Sequence, residues 1–105
     1  MVIAPCTMDL MARLATGRAD DVVSLIVSAI DRAKTPVILA PSMNEQMWNQ
    51  PSTQRNFRTL VEDGFTMVGP ATGWQACRTV GAGRMVEPEE IVEKVASAIA
   101  GRKTR

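Results

Sequence analysis

Polar side chains at three places in the chain are of types that bind ligands or transfer protons. Asn44 lies between two methionines and near a tryptophan, where an amide has few polar neighbours and can orient a ligand carboxylate or amide. Thr7 and Asp9 stand at the start of a predicted helix, whose exposed N–H groups favour a phosphate or a polar ring edge. Cys77 has Arg78 beside it, and a nearby cation raises the reactivity of a thiol.

Each of these residues also has a plainer interpretation. Thr and Asp are preferred helix caps, so Thr7 and Asp9 can serve local structure alone. Asn44 follows Pro-Ser and can close an Asx-turn. Cys77 can be an inert, partly buried thiol, and Cys6, directly after a strand and a proline, is typical of a small packing residue. The residue types alone leave both interpretations open.

Three short apolar runs place these residues at the ends of predicted strands. The runs cover residues 1–4, 37–40 and 65–68, and the absence of polar alternation predicts strands that are buried on both faces of a parallel sheet. Pro5 and Pro41 are expected to end the first two. Because ligands of open α/β sheets bind at the carboxyl ends of the strands, the loops that follow should converge there.

Helical spacing of apolar residues predicts four helices between and after these strands. The first follows Thr7 or Asp9 and ends at Gly17, the second covers residues 22 to about 32, the third runs from Pro51 to Gly64, and the last begins within residues 87–90 and ends at Gly101. Apolar residues cover most of the second helix, so we expect it to be largely buried. Residues 41–48 are expected to form a loop, and residues 69–85 an irregular segment with a function or a docking role.

This order of elements predicts right-handed crossovers and a parallel sheet. Three apolar parallel strands cannot cover themselves. We therefore expect further strands from an N-terminal segment on the same chain or a companion chain.

Composition narrows the classes of function. The chain has 105 residues, 46% of them hydrophobic, and is expected to form one domain. With 12 basic and 11 acidic residues, a nucleic-acid partner is not expected, and the basic residues at 102–105 are typical of a solvated terminus. There is no histidine, and two distant cysteines suggest neither a disulfide framework nor a metal site. No apolar run is long enough to span a bilayer, so a cytoplasmic protein is expected.

Three segments together resemble the phosphopantothenoylcysteine decarboxylases. They are Pro-Cys-Thr-Met-Asp at residues 5–9, Pro-x-Met-Asn-x-x-Met-Trp at 41–48, and Ala-Cys followed by Gly-x-Gly-Arg-Met within 76–85. These enzymes belong to the flavin-dependent cysteine decarboxylases, which also include the peptidyl-cysteine decarboxylases of lantibiotic synthesis. The resemblance covers nearly the whole chain.

The resemblance implies an α/β, Rossmann-like (flavodoxin-like) three-layer fold with a parallel sheet, bound FMN and trimeric units. Residues 1–105 then form a single flavoprotein domain, the C-terminal half of it. The implied roles are FMN contact by Thr7, Met8, Asp9, Leu10 and Ser42, a hold on the substrate carboxylate by Asn44, further substrate binding by Met43 and Arg84, and proton donation by Cys77.

The implied reaction is the decarboxylation of 4'-phosphopantothenoylcysteine to 4'-phosphopantetheine in coenzyme A biosynthesis. Oxidation of the cysteinyl thiol gives a C=S group that accepts electrons when carbon dioxide leaves, and the resulting enethiol is then reduced with a proton from a thiol. A non-catalytic subunit or paralogue is an alternative from another class. A peptidyl-cysteine decarboxylase is a third, which the Gly-Arg-Met ending disfavours.

Three departures from the family pattern bear on activity. The family's catalytic histidine and its Gly-Ser-rich phosphate-binding segment precede the part that is matched here. Arg78 replaces the glycine that usually follows the cysteine, and Cys6 and Ser42 stand where alanine is common. Without that histidine, this chain is expected to orient a substrate but not to turn it over alone.

Overall fold

The computed structural model describes residues 1–74 and 80–103. Within them, a parallel sheet has the strand order β1-β2-β3, formed by β1 (Val2–Cys6), β2 (Ile38–Pro41) and β3 (Thr66–Met67). The predicted parallel α/β architecture is confirmed. An antiparallel hairpin of β4 (Ala71–Trp74) and β5 (Val80–Arg84) follows the sheet.

Five helices accompany these strands in the described residues. They are α1 (Met8–Ala15), α2 (Val22–Ala29), α3 (Glu45–Trp48), α4 (Pro51–Glu62) and α5 (Pro88–Lys103). Helices α1 and α4 end as predicted. Gly17 and Gly64 adopt φ values of +73° and +95°, and this conformation, which ends a helix, costs little free energy only for glycine.

The central strand β2 shows why the fold has three layers. Its four residues are all buried, and side chains of a strand alternate between the two faces of a sheet. Leu39 joins a core cluster with residues of α1, α2 and α4, whereas Ile38 and Ala40 join a second cluster with residues of α5. Helices therefore cover both faces, as the uninterrupted apolar run predicts.

The second helix differs from its prediction in length and in burial. It ends at Ala29, because Ile30 turns to an extended conformation with ψ of 133°. Only Ser24 and Val27 of α2 are buried, and Val22, Val23, Leu25 and Ile26 are exposed. The expectation of a largely buried helix is wrong. Apolar composition permits burial, but burial needs a partner on each side, and α2 packs mainly on α1.

Several predicted boundaries are wrong for local reasons. Strand β1 continues through Pro5, which lies where the pairing with β2 is irregular and where a missing N–H costs little. Pro41 pairs with Cys6 instead of stopping β2. Helix α5 runs past Gly101, which lacks the positive φ of a helix-ending glycine. The loop expected at 41–48 contains α3, and part of the segment expected to be irregular forms the β4–β5 hairpin.

Candidate functional site

The first candidate segment lies where β1 passes into α1. Thr7 is the N-cap of α1: its hydroxyl oxygen accepts the Leu10 N–H at 3.2 Å, and its carbonyl accepts the Met11 N–H at 2.9 Å. Within residues 1–74 and 80–103, the N–H groups of Met8 and Asp9 have no hydrogen-bond acceptor. The capping interpretation is correct for Thr7, and two helix N-terminal donors remain for a ligand.

Two side chains lie beside these donors: the Asp9 carboxylate, which forms an ion pair, and the Cys6 thiol, which is buried. The Asp9 carboxylate pairs with Arg13 at 2.9 Å, which reduces its repulsion of an anion. Cys6 is fully buried, and this burial raises the pKa of its thiol to about 11. A thiol in that state is a poor nucleophile at neutral pH, so the interpretation of Cys6 as a packing residue is confirmed.

The ends of β1, β2 and β5 are joined by two backbone hydrogen bonds. Ser42 donates its N–H to the Cys6 carbonyl at 3.1 Å, and Met43 donates its N–H to the Gly83 carbonyl at 2.9 Å. Ser42 therefore lies beside the start of α1, and the Gly-x-Gly-Arg strand lies beside Met43. The predicted convergence of the three loops at one sheet edge is what these bonds produce.

Asn44 begins the single turn of α3. Its Oδ1 accepts the Met47 N–H at 2.9 Å, so the side chain caps a helix and does not close the expected Asx-turn, although it serves local structure in both cases. Among the described residues, its Nδ2 group donates no hydrogen bond, and the residue is exposed. Capping thus fixes the amide while leaving two N–H donors that suit a carboxylate.

Gly81 and Gly83 explain the Gly-x-Gly motif by close packing. A Cβ at Gly83 would lie 2.5 Å from the Met43 carbonyl oxygen and 3.2 Å from the Trp48 Cβ, and one at Gly81 would collide with the Glu45 carboxylate. Gly83 also has a φ of +102°. The two glycines let β5 lie against α3 and the loop before it.

The remaining predicted residues lie in different surroundings. The Met43 side chain packs in the first core cluster, and its substrate role stays a prediction. Arg84 forms an ion pair with Glu87 at the start of α5. Cys77 and Arg78 lie outside the described residues.

Sequence reasoning missed two residues that touch this site from α4. Thr53 donates its hydroxyl to the Met47 carbonyl at 2.6 Å, and Gln54 donates its amide to the Trp48 carbonyl at 2.7 Å. A threonine and a glutamine in the first turn of a helix are ordinary there. The one signal that could have found them is that a short helix needs hydrogen-bond donors for the carbonyl groups at its C-terminal end.

Comparison with known proteins now gives the family. Residues 1–100 match the sequence profile of the family described as Flavoprotein. This chain belongs to the Flavoprotein family. The coenzyme A biosynthesis bifunctional protein CoaBC of Haemophilus influenzae is 47% identical over 91 residues, which are 87% of this chain and 22% of that protein. The chain thus spans about a fifth of the length of the curated relatives it matches.

Solved structures share this fold. A PPC decarboxylase variant complexed with pantothenoylaminoethenethiol superposes with a TM-score of 0.89 at 35% identity, covering 94% of this chain and 54% of that one. The FMN binding protein AtHal3 gives a TM-score of 0.80 at 38% identity, covering 90% of this chain and 51% of that one. The flavodoxin-like α/β fold that the resemblance implied is confirmed.

Residues 1–74 and 80–103 lack two kinds of feature. No helix there has the length and apolar character to cross a membrane. No group of three or more His, Cys, Asp or Glu side chains there is placed to hold a metal ion.

Proposed function

We propose that this chain supplies part of the active site of an FMN-dependent decarboxylase that converts 4'-phosphopantothenoylcysteine to 4'-phosphopantetheine in coenzyme A biosynthesis. The observation that carries the proposal is the pair of backbone hydrogen bonds from Ser42 to Cys6 and from Met43 to Gly83. They bring the segments that we propose to contact FMN and substrate, and the strand that follows the candidate proton donor, to one edge of the sheet. The relatives' names, which refer to coenzyme A biosynthesis and to a PPC decarboxylase, support this choice of reaction.

The residues at the start of α1 fit a flavin. The N–H groups of Met8 and Asp9, with Thr7, Leu10 and Ser42 around them, suit the carbonyl oxygens of a ring edge. FMN bound there supplies the two-electron oxidation and reduction that the reaction needs. The chain's own residues bind and orient this group and the substrate.

Asn44 and Cys77 have distinct proposed tasks. The Asn44 amide N–H groups hold the substrate carboxylate, because its Oδ1 is occupied by the Met47 N–H. The Cys77 thiol gives its proton to the substrate carbon when the enethiol is reduced. Arg84 and Met43 complete the substrate contacts, with Arg84 exchanging its partner Glu87 for a substrate anion.

We further propose that segments outside these 105 residues complete the site. Residues 1–105 form the C-terminal half of the flavoprotein domain, and an N-terminal half on the same or a companion polypeptide supplies the histidine. The assembly is a homo-oligomer built of trimers in the cytoplasm. The bifunctional relatives, of which this chain spans 22%, are consistent with a longer polypeptide.

A non-catalytic flavoprotein subunit is the second candidate. It is favoured by Arg78, which stands directly after Cys77 where the family pattern has a glycine.

Turnover by the FMN-loaded protein separates the two candidates. We expect the assembled protein to show a flavin absorbance spectrum and to release carbon dioxide from 4'-phosphopantothenoylcysteine. Cys77→Ser should lower kcat by about 10²-fold or more, as for other general acids, with the flavin spectrum unchanged. Cys6→Ala is the matched control and should retain turnover, because its thiol is buried. Absence of bound FMN or of turnover would contradict the enzyme proposal, and full activity of Cys77→Ser would contradict the proposed proton donation by Cys77.

A further inference from the structure

Helix α3 is a single turn of four residues and cannot hold its shape alone. Forming one helical turn fixes several backbone angles for one hydrogen bond, so an isolated turn is unstable in water. The position of Asn44, the N-cap of this turn, must therefore be set by contacts from outside α3.

Two residues of α3 connect Asn44 to α4. Met47 gives its N–H to the Asn44 side chain at 2.9 Å, and its carbonyl accepts the Thr53 hydroxyl at 2.6 Å. Trp48 gives its N–H to the Asn44 carbonyl at 3.0 Å, and its carbonyl accepts the Gln54 amide at 2.7 Å. Met47 thus links Thr53 to the Asn44 side chain, and Trp48 links Gln54 to the Asn44 backbone.

We propose that Thr53 and Gln54 are positioning residues that aim the Asn44 amide at the substrate carboxylate by holding the carbonyl end of α3. This inference rests on the proposed function of Asn44. Neither residue touches the substrate; each acts through one peptide group of α3.

Burial makes the Thr53 contact the stronger of the two. Thr53 is 1% exposed, and a buried hydrogen bond cannot be replaced by water when one partner is removed. Gln54 is half-buried, so water can partly replace its amide. Helix α4, which carries both side chains, is itself held by the fully buried Leu60, and Phe57 of the same helix packs edge-to-face on Trp48 with ring centroids 5.3 Å apart.

The opposite end of α3 is held independently. The Met43 N–H bond to Gly83 fixes the chain just before Asn44. Removal of the Thr53 hydroxyl therefore loosens only the carbonyl end of the turn, where the Gln50 N–H still reaches the Met47 carbonyl at 3.3 Å. The amide direction should change more than its location.

The test compares two ligands that differ by the carboxylate, in the assembled FMN-loaded protein. Thr53→Val removes the hydroxyl with little change of shape. We expect it to raise the KM for 4'-phosphopantothenoylcysteine by about tenfold, the effect of one lost hydrogen bond. The inhibition constant of 4'-phosphopantetheine, which lacks the carboxylate, should change less than about twofold on the same scale. Thr53→Ser restores the hydroxyl and should recover most of the loss in KM.

Two further variants control for general loosening. Thr59→Val makes the same change further along α4, at a hydroxyl that donates no hydrogen bond within the described residues, and should leave both constants as they are. Gln54→Leu should raise KM less than Thr53→Val does, and it keeps the test available where Thr53→Val fails to fold. Equal changes in both constants, or no change in KM, overturn the positioning role while wild-type turnover still supports the proposed function. A wild-type protein without turnover of 4'-phosphopantothenoylcysteine overturns both.

Discussion

Helices α2 and α4 lie in the same layer of the fold and relate composition to burial in opposite ways. Helix α2 reads Val-Val-Ser-Leu-Ile-Val-Ser-Ala, yet Val22 is 72% and Leu25 56% exposed. Helix α4 is mostly polar, but its Leu60 and Thr53 are buried and its first turn holds the candidate substrate loop. The apolar helix contributes little to the site, and the polar helix shapes it.

The difference shows that partners decide what a helix does. Helix α4 contacts α1 and α3, so it transmits its position to Asn44. Helix α2 is fastened mainly at its first turn, where Asp21 and Ser24 form a capping box, and these hydrogen bonds from Ser24 hold the pKa of the Asp21 carboxyl below its usual value. Its interior is stabilised by few contacts.

The largest expected effect comes from a comparison of two glycines. Gly83 packs against the backbone before α3, and Gly17 lies in open space between α1 and α2. Gly83→Ala should lower the free energy of unfolding by about 4 kcal/mol, because it adds strain at positive φ to a clash with backbone. Gly17→Ala, between α1 and α2, has a φ of +73° but nothing within 4 Å of the added methyl, and it should cost about 1 kcal/mol. Urea unfolding of both variants gives the comparison. Equal costs would show that the contact between β5 and α3 is not tight.

The next largest expected effect comes from a comparison of Leu60 in α4 with Leu25 in α2. Leu60→Ala should cost about 3 kcal/mol, the usual value for a fully buried leucine. Leu25→Ala, at a side chain 56% exposed, should cost about 0.5 kcal/mol or less. Thermal unfolding of the assembled protein measures both. A similar cost at Leu25 would mean that another segment or chain covers α2.

A further effect, of similar size but seen only at alkaline pH, is a pH dependence of stability that comes from the core beneath α1 and α4. Burial raises the pKa of Cys6 from 9.0 to about 11. As pH rises, the thiol of the unfolded chain loses its proton before the thiol of the folded protein does. The contribution of Cys6 to the free energy of unfolding is therefore fully present below pH 9 and is lost as pH rises through 11, by about 3 kcal/mol in all. Urea unfolding across this range should show a steeper decline for the wild type than for Cys6→Ala. Parallel curves would contradict the burial of this thiol.

The sheet was predictable because its signal is local and strong. An apolar run without alternation has one stable placement, between two layers of helices, and Ile38, Leu39 and Ala40 occupy it. Thr7 was predictable in the same way, since a cap is chosen by neighbours in sequence. The exposure of α2 was not predictable, because an apolar sequence does not show whether other elements pack against the helix.

The site was predictable in its location but not in its support. Asn44 and Ser42 follow a buried strand, which was enough to place them at the carboxyl edge of the sheet. Helix α3 was missed because four residues carry too little periodicity to be recognised. Its contacts with Thr53 and Gln54 depend on how α3 and α4 lie against each other in space, and a pattern of residue types does not show that arrangement.

The ion pair between Arg84 and Glu87 has a kinetic consequence. An anionic ligand that reaches Arg84 exchanges one carboxylate for another, so little net charge is available to attract it from a distance. Charges that cancel within a few ångströms produce a field that is weak beyond a Debye length. Association of an anionic substrate with this end of the site should therefore proceed at a rate that changes little with salt, and Arg84 would contribute to the lifetime of the complex more than to its formation.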